Sequence, residues 1–192
     1  DDPINFFAAQ EHKLRAGDLA SRKDGMSEAI QTIKAANVGL EGITNLLAQA
    51  KSLAQSALSA GSTDAVSFAS AYNTVMTQIN EMAADSAYKG VNLLQSGELT
   101  VQFAPTAGDS SIAGMSDAVA GISDWATAGA ATVNADTIQT AIDGIEEATA
   151  SLRTEAKVLA NNLSVITARE EFTAQMMNTL SDGAAKLTEA DM

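Results

Sequence analysis

The residues able to do chemistry are few and poorly placed for it. His12 is the single histidine, set in Gln10-Glu11-His12-Lys13. A general base needs a positioned partner, and a metal needs further imidazole or thiolate ligands at motif spacing. Neither accompanies His12, which reads as a solvated helix residue. The chain has no cysteine, which removes disulfides, zinc thiolates and thiol nucleophiles. Glu146-Glu147 and Glu170-Glu171 are adjacent acids. Helix neighbours diverge by about 100°, so neither pair can grip one substrate, and a solvated face explains both. Gly39 and Gly42 lack the Lys-Ser or Lys-Thr of a phosphate loop. Trp125 and Met176-Met177 read as core or subunit contacts. We therefore assign no catalytic residue, no cofactor and no metal site, and read the chain as something other than an enzyme.

Charge narrows the partners. Acids outnumber bases 24 to 11, for a net charge of −13 at pH 7. A phosphate-binding surface is basic, so nucleic acid is excluded, and an anionic membrane surface is disfavoured for the same reason. No run approaches the roughly 20 apolar residues of a membrane helix. Hydrophobic residues make up 46% of the 192, enough to bury a core, while aromatics are only 4%. Alanine-rich, proline-poor chains of this kind build long, closely packed helices.

The elements follow from periodicity. Asp2-Pro3 reads as an N-cap and first helical position. Leu19, Met26, Ile33, Leu40, Leu47 and Ala54 then recur every seven residues, and Ala29, Ala36, Ile43, Ala50 and Ala57 form a companion series. Together they make a heptad seam along a long N-terminal helix, 1–60. Gly61-Ser62-Thr63-Asp64 stops that helix and starts a second, 63–87, with an inward face of Ala65, Phe68, Tyr72, Val75, Ile79 and Met82. The short turn predicts an antiparallel hairpin of helices. In the stretch 88–134, Leu99, Val101 and Phe103 alternate with polar residues, so a small β-hairpin is expected over 88–103. A short variable region follows, where Ile112, Met115, Val119, Ile122 and Trp125 sit at helical spacing. A long C-terminal helix, 135–190, carries Ile138, Ile145, Leu152, Leu159, Ile166, Leu180 and Leu187 in one heptad position, with Thr173 the exception. Its companion series of Ile142, Ala156, Leu163, Met177 and Ala184 is interrupted by Thr149 and Glu170.

Size sets the expected shape. A compact globule of this length has a radius of gyration of roughly 16 Å and is about 42 Å across. A first helix of about 57 residues would run roughly 85 Å. The expectation is a single domain over 1–192, mostly α, built as an elongated rod of long antiparallel helices with a small β-hairpin. The N-terminus shows no signal-peptide pattern. The absence of an initial Met and the seam running almost to Met192 lead us to expect a fragment.

These residues add up to a resemblance. Tyr88-Lys89-Gly90-Val91-Asn92-Leu93-Leu94, followed by Leu99-Thr100-Val101-Gln102-Phe103, is similar to the aromatic-x-Gly-x-x-Leu-Leu segment and following hairpin of bacterial flagellin. Asp1-Asp2-Pro3 resembles the acidic opening of that family's first core helix, and Asn37-Val38-Gly39-Leu40 its Asn-x-Gly-Ile/Leu run. Leu187-Thr188-Glu189-Ala190-Asp191-Met192 resembles its Glu-Ala-Asp-Met close. The chain looks like a flagellin core rod, of alphaproteobacterial type, without its terminal segments.

The resemblance implies a structural subunit of the flagellar filament, exported unfolded through the flagellar type III channel and located outside the cell. It implies other flagellin subunits as partners, the flagellar junction and cap proteins as neighbours, and an export chaperone for the intact protein. Only residues 104–134 occupy the place of the family's outer domains, which implies a thin, smooth filament. The metalloprotease insert of some members, with its His-Glu-x-x-His, is missing. Hook-filament junction proteins share the helical ends but usually carry larger central domains. A free-standing coiled-coil binding module would explain the heptads but not the Gly-Val-Asn-Leu-Leu segment. Loop serines Ser110 and Ser111 read as solvated.

One further implication concerns the flagellin-sensing Toll-like receptor. Recognised flagellins read Arg-Val-Arg-Glu-Leu-Ala in the second half of the first helix. Aligning Leu-Ala on Leu53-Ala54 places Gln49 at the first arginine, Lys51 at the second and Ser52 at the glutamate. Counting back from Tyr88-Lys89-Gly90 places Ala71 at a second glutamate. The resemblance therefore implies weak recognition by that receptor.

Overall fold

The computed structural model describes residues 3–60, 62–103, 109–113 and 134–189. In chain order these form α1 (Pro3–Ser59), α2 (Ser62–Asp85), β1 (Glu98–Gln102), β2 (Asp109–Ala113) and α3 (Ala135–Glu189). The architecture is mostly α, with a 57-residue α1 and a 55-residue α3. Pro3 opens α1, where its missing N–H costs nothing. Asn134 opens α3 with reciprocal bonds: Thr137 N donates to Asn134 Oδ1 at 2.9 Å, and Asn134 N donates to Thr137 Oγ1 at 3.2 Å. This satisfies donors that a helix start otherwise leaves free. Asp136 and Lys186 place an acid in the first turn of α3 and a base in its last, each matching the helix dipole.

Packing divides the chain into two compact units. The first comprises Asp1–Gln31, Leu99–Ile112 and Asn161–Met192. Here the start of α1 runs antiparallel to the end of α3. Ser27 meets Glu170, while a Cβ at Gly183 would lie 4.0 Å from His12 Cδ2. Ala9, Met26, Ala29 and Ile30 are buried from α1, and Ile166, Thr173 and Ala184 from α3. β1 and β2 pair as a two-stranded sheet and bury Val101 and Ile112.

The second unit comprises Thr32–Glu98 and Ala113–Ala160. α1 and α3 are again antiparallel, since Lys51 meets Glu146 while Asn37 and Ala156 line one groove. α2 folds back along α1, so that Gly39 lies beside Ser86 and Gly42 beside Met82. The core is made of Ile33, Leu40, Ile43 and Leu47 from α1, Tyr72 and Ile79 from α2, and Ile145, Leu152 and Leu159 from α3. Alanines such as Ala36, Ala50, Ala54, Ala69 and Ala83 complete it and let the backbones approach closely.

Three expectations are corrected. The β-hairpin does not close within 88–103, because β1 pairs with β2 at Asp109–Ala113. Residues 91–97 cannot supply the second strand, since backbone bonds to the Asn92 carbonyl from Gln95 N and Gly97 N curl them. Ile112 consequently lies on a strand, not on the expected short helix. The remainder of that helix, Met115 to Trp125, lies outside the described residues. The buried stripe of α2 is Ala65, Ala69, Tyr72, Met76, Ile79 and Ala83. Phe68, Val75 and Met82 flank it half-buried, because a seam of alternating four- and three-residue steps is centred on the alanines.

Candidate functional site

The heptad series define where the helices grip. Met26, Ile33, Leu40 and Leu47 on α1, and Ile138, Ile145, Leu152, Leu159 and Ile166 on α3, are all buried. Leu19 and Leu180 are half-buried. Two of the three interruptions of the α3 series, Thr173 and Glu170, are accommodated differently. Thr173 is only 4% exposed. Glu170 is half-buried and accepts a hydrogen bond across the seam from the Ser27 hydroxyl of α1.

The segment that carried the family resemblance is a compact clamp in the second unit. Tyr88 and Val91 exchange backbone hydrogen bonds at 2.9 and 3.0 Å around Lys89 and Gly90. Both central residues have positive φ, 48° and 84°, the two-residue turn that glycine favours at its second position. Lys89 Nζ sits 5.8 Å from the Tyr88 ring centroid. Asn92 then turns its side chain back on α2. Its amide donates to the carbonyl oxygens of Ala83 at 2.8 Å and Ala84 at 3.1 Å, while Leu94 N donates to Asn92 Oδ1 at 2.9 Å. Leu93 and Leu94 are thereby driven into the core. Leu94 meets α1 at Gly39, where a Cβ would come within 2.8 Å of Leu94 Cδ1 and 2.7 Å of Ser86 Cβ. Gly39 and Gly42 are thus close-approach positions for α2 and the clamp.

The positions singled out for receptor recognition lie in the same unit. Gln49, Ser52 and Ala71 are exposed. Lys51 is bonded to Glu146 Oε1 at 2.7 Å. That pair flanks a groove of about 420 Å³ between α1 and α3, lined by Thr44, Leu47, Ile145, Thr149 and Arg153 among others. A smaller groove of about 210 Å³ adjoins it, sharing Thr44 and Arg153.

Among the described residues, the acids and the histidine do not converge. Glu147 and Glu171 are exposed, and His12 is half-buried beside Gly183. Among the described residues no group of three or more His, Cys, Asp or Glu could hold a metal ion, and no helix is long and apolar enough to cross a membrane. What the surface offers instead is apolar area. In the first unit Ile4, Phe6, Phe7 and Leu14 of α1 are 59–76% exposed, and Val165 and Phe172 of α3, seven residues apart, are each 54% exposed. The Phe6 and Phe7 rings meet edge to face, 5.8 Å apart. Exposed aromatic and branched side chains in this number mark interaction surfaces. They lie off the buried seam, so the heptad repeat does not mark them.

Compared with known proteins, the chain shares the fold of Bacillus cereus flagellin. The likeness to that crystal structure has a TM-score of 0.53 at 18% sequence identity, and covers 74% of this chain and 88% of that one. No family model matches the sequence, and no curated protein does. The class defined is therefore a flagellin-like helical fold.

Proposed function

We propose that this chain is a structural subunit of a bacterial flagellar filament, which polymerises with other copies of itself to form the propeller used in swimming. The observation that carries the reading is the flagellin fold, shared over 74% of the chain. Two features support it: the Tyr88–Leu94 clamp, which gives the flagellin-like motif a defined structural task, and the exposed apolar residues of α1 and α3, which suit burial between subunits. The role is mechanical, so the scattered acids need no catalytic assignment. On this reading the protein is exported through the flagellar type III channel, with a chaperone, and works outside the cell between junction and cap proteins.

Electron microscopy of the purified gene product tests the proposal. Long helical filaments are expected, and a strain lacking the gene should lose swimming and regain it on complementation. A protein that stays monomeric under all filament-forming conditions, or a deletion strain with intact filaments, would overturn it.

A further inference from the structure

Thr149 is the third interruption of the α3 series, set midway between Ile142 and Ala156. It is half-buried and lines the groove of about 420 Å³ between α1 and α3 in the second unit. That volume falls within the roughly 300–1,000 Å³ of small-molecule sites. Leu47 and Ile145 are the buried apolar residues of its lining, and the short side chain of Ala48 leaves the space open.

The polar groups are ordered along the groove. Lys51 and Glu146 are bonded at one end. The helices are antiparallel, so Thr44, seven residues before Lys51, comes level with Arg153, seven residues after Glu146. Thr44 Oγ1 donates to Leu40 O and Thr149 Oγ1 to Ile145 O, each at 2.7 Å. Each hydroxyl has thereby used its proton and offers only lone pairs to the groove. Glu146 holds Lys51 with Oε1, which leaves Oε2 to accept. Arg153 is exposed and, among the described residues, makes no hydrogen bond or ion pair. The groove thus has free donors at the Arg153 end, a carboxylate at the other and acceptors between. Lys51 and Arg153 against Glu146 leave one positive charge in excess in the lining, within a chain of net charge −13. Glu41 lines only the smaller adjoining groove.

We propose that this groove binds a short zwitterionic peptide, its terminal carboxylate on the Arg153 guanidinium and its terminal ammonium at Glu146. The planar fork of arginine matches a carboxylate with two parallel bonds. The amide N–H groups of the peptide supply the donors that Thr44 and Thr149 lack. Spacing sets the length. Glu146 and Arg153 are seven residues apart on one helix, about 10 Å at 1.5 Å per residue, and three extended residues span about 10 Å. Charge sets the class: the acidic chain repels a polyanion, whereas a zwitterion brings no net charge. The site lies within one chain and is independent of the filament reading.

Calorimetric titration of the soluble full-length gene product with Ala-Ala-Ala tests the site. Saturable binding is expected. Amidation of the peptide's C-terminus should weaken it at least tenfold, and so should Arg153→Gln, with helical content unchanged by circular dichroism. Together the two changes should weaken binding little more than either alone, because both remove the same pair. N-acetylation of the peptide and Glu146→Gln should show the same coupling at the other end. Butyrate, a carboxylate without donors, should bind at least tenfold more weakly than the peptide. Equal binding of the amidated and free peptides, or additive losses from amidation and Arg153→Gln, would overturn the Arg153 contact. Butyrate binding as tightly as the peptide would overturn the choice of ligand, and no saturable heat at millimolar peptide would overturn the site.

Discussion

The side-chain amide of Asn92 donates to the carbonyl oxygen of Ala83 at 2.8 Å, so a residue nine positions downstream closes the C-terminal end of α2. The last carbonyls of a helix have no partner within it, and here a side chain supplies one while its other atom, Oδ1, receives Leu94 N. The bonds that end α2 also bring Leu93 and Leu94 into the core.

Replacing this residue separates its two functions. Asn92→Ala removes both donor and acceptor and should cost about 1–3 kcal/mol in urea unfolding, since part-buried partners are left unsatisfied. Asn92→Asp keeps the acceptor but sets a negative charge beside the carbonyl end of the helix, which the dipole disfavours. Its loss should therefore be at least as large. Equal stability of all three proteins would show that the clamp does not hold α2.

The glycines of α1 should respond to alanine with opposite signs. At Gly39 a Cβ would meet Ser86 Cβ at 2.7 Å and Leu94 Cδ1 at 2.8 Å. Gly39→Ala should destabilise by about 1–3 kcal/mol, the range for overpacking. At Gly17 and Gly25 nothing lies within 4 Å of a built Cβ, and both sit on the exposed side of a continuous helix. There alanine should stabilise by about 0.5–1 kcal/mol by reducing the freedom of the unfolded chain. Thermal unfolding of the three variants reads the contrast directly.

The seams make a third prediction. Leu40, Leu47 and Leu159 are 3%, 0% and 0% exposed. Truncating any one to alanine should cost about 2–5 kcal/mol. Leu19→Ala and Leu180→Ala should cost less, because those side chains are half-buried and their neighbours can relax. Denaturant midpoints for the five variants give the ordering, and a cost below about 0.5 kcal/mol at all three buried sites would mean that the core lies on another face.

The seams were legible because a heptad repeat survives even where alanine replaces leucine: period, not bulk, identifies the face. The same property blurred α2, where Phe68, Val75 and Met82 drew attention to one edge of a stripe centred on Ala69, Met76 and Ala83. β2 was illegible for a different reason. Asp-Ser-Ser-Ile-Ala has little strand propensity and is stabilised by pairing with β1. Asn92 belongs to a motif legible in the sequence, but its task depends on carbonyls that only the folded chain brings near. Glu170 was visible as a break in the series, whereas its partner Ser27, 143 residues away, was not.

The last prediction concerns host detection. By the resemblance to recognised flagellins, Gln49 stands where they carry arginine, and Ser52 and Ala71 where they carry glutamate. All three are exposed. A guanidinium offers a planar fork of donors that a carboxamide cannot reproduce. Lys51 retains one positive charge, but Glu146 holds it at 2.7 Å, and turning it to a receptor means giving up that bond. Loss of one charged partner from a buried interfacial pair costs about 2–5 kcal/mol, or roughly 30- to several-thousand-fold in affinity. Reporter cells expressing the flagellin-sensing Toll-like receptor should therefore respond weakly to this protein. Gln49→Arg combined with Ser52→Glu and Ala71→Glu should raise the response by at least tenfold, with helical content unchanged by circular dichroism. Strong activation by the unsubstituted chain would refute the argument from these residues, and no gain from the triple variant would place the deficit elsewhere on the surface.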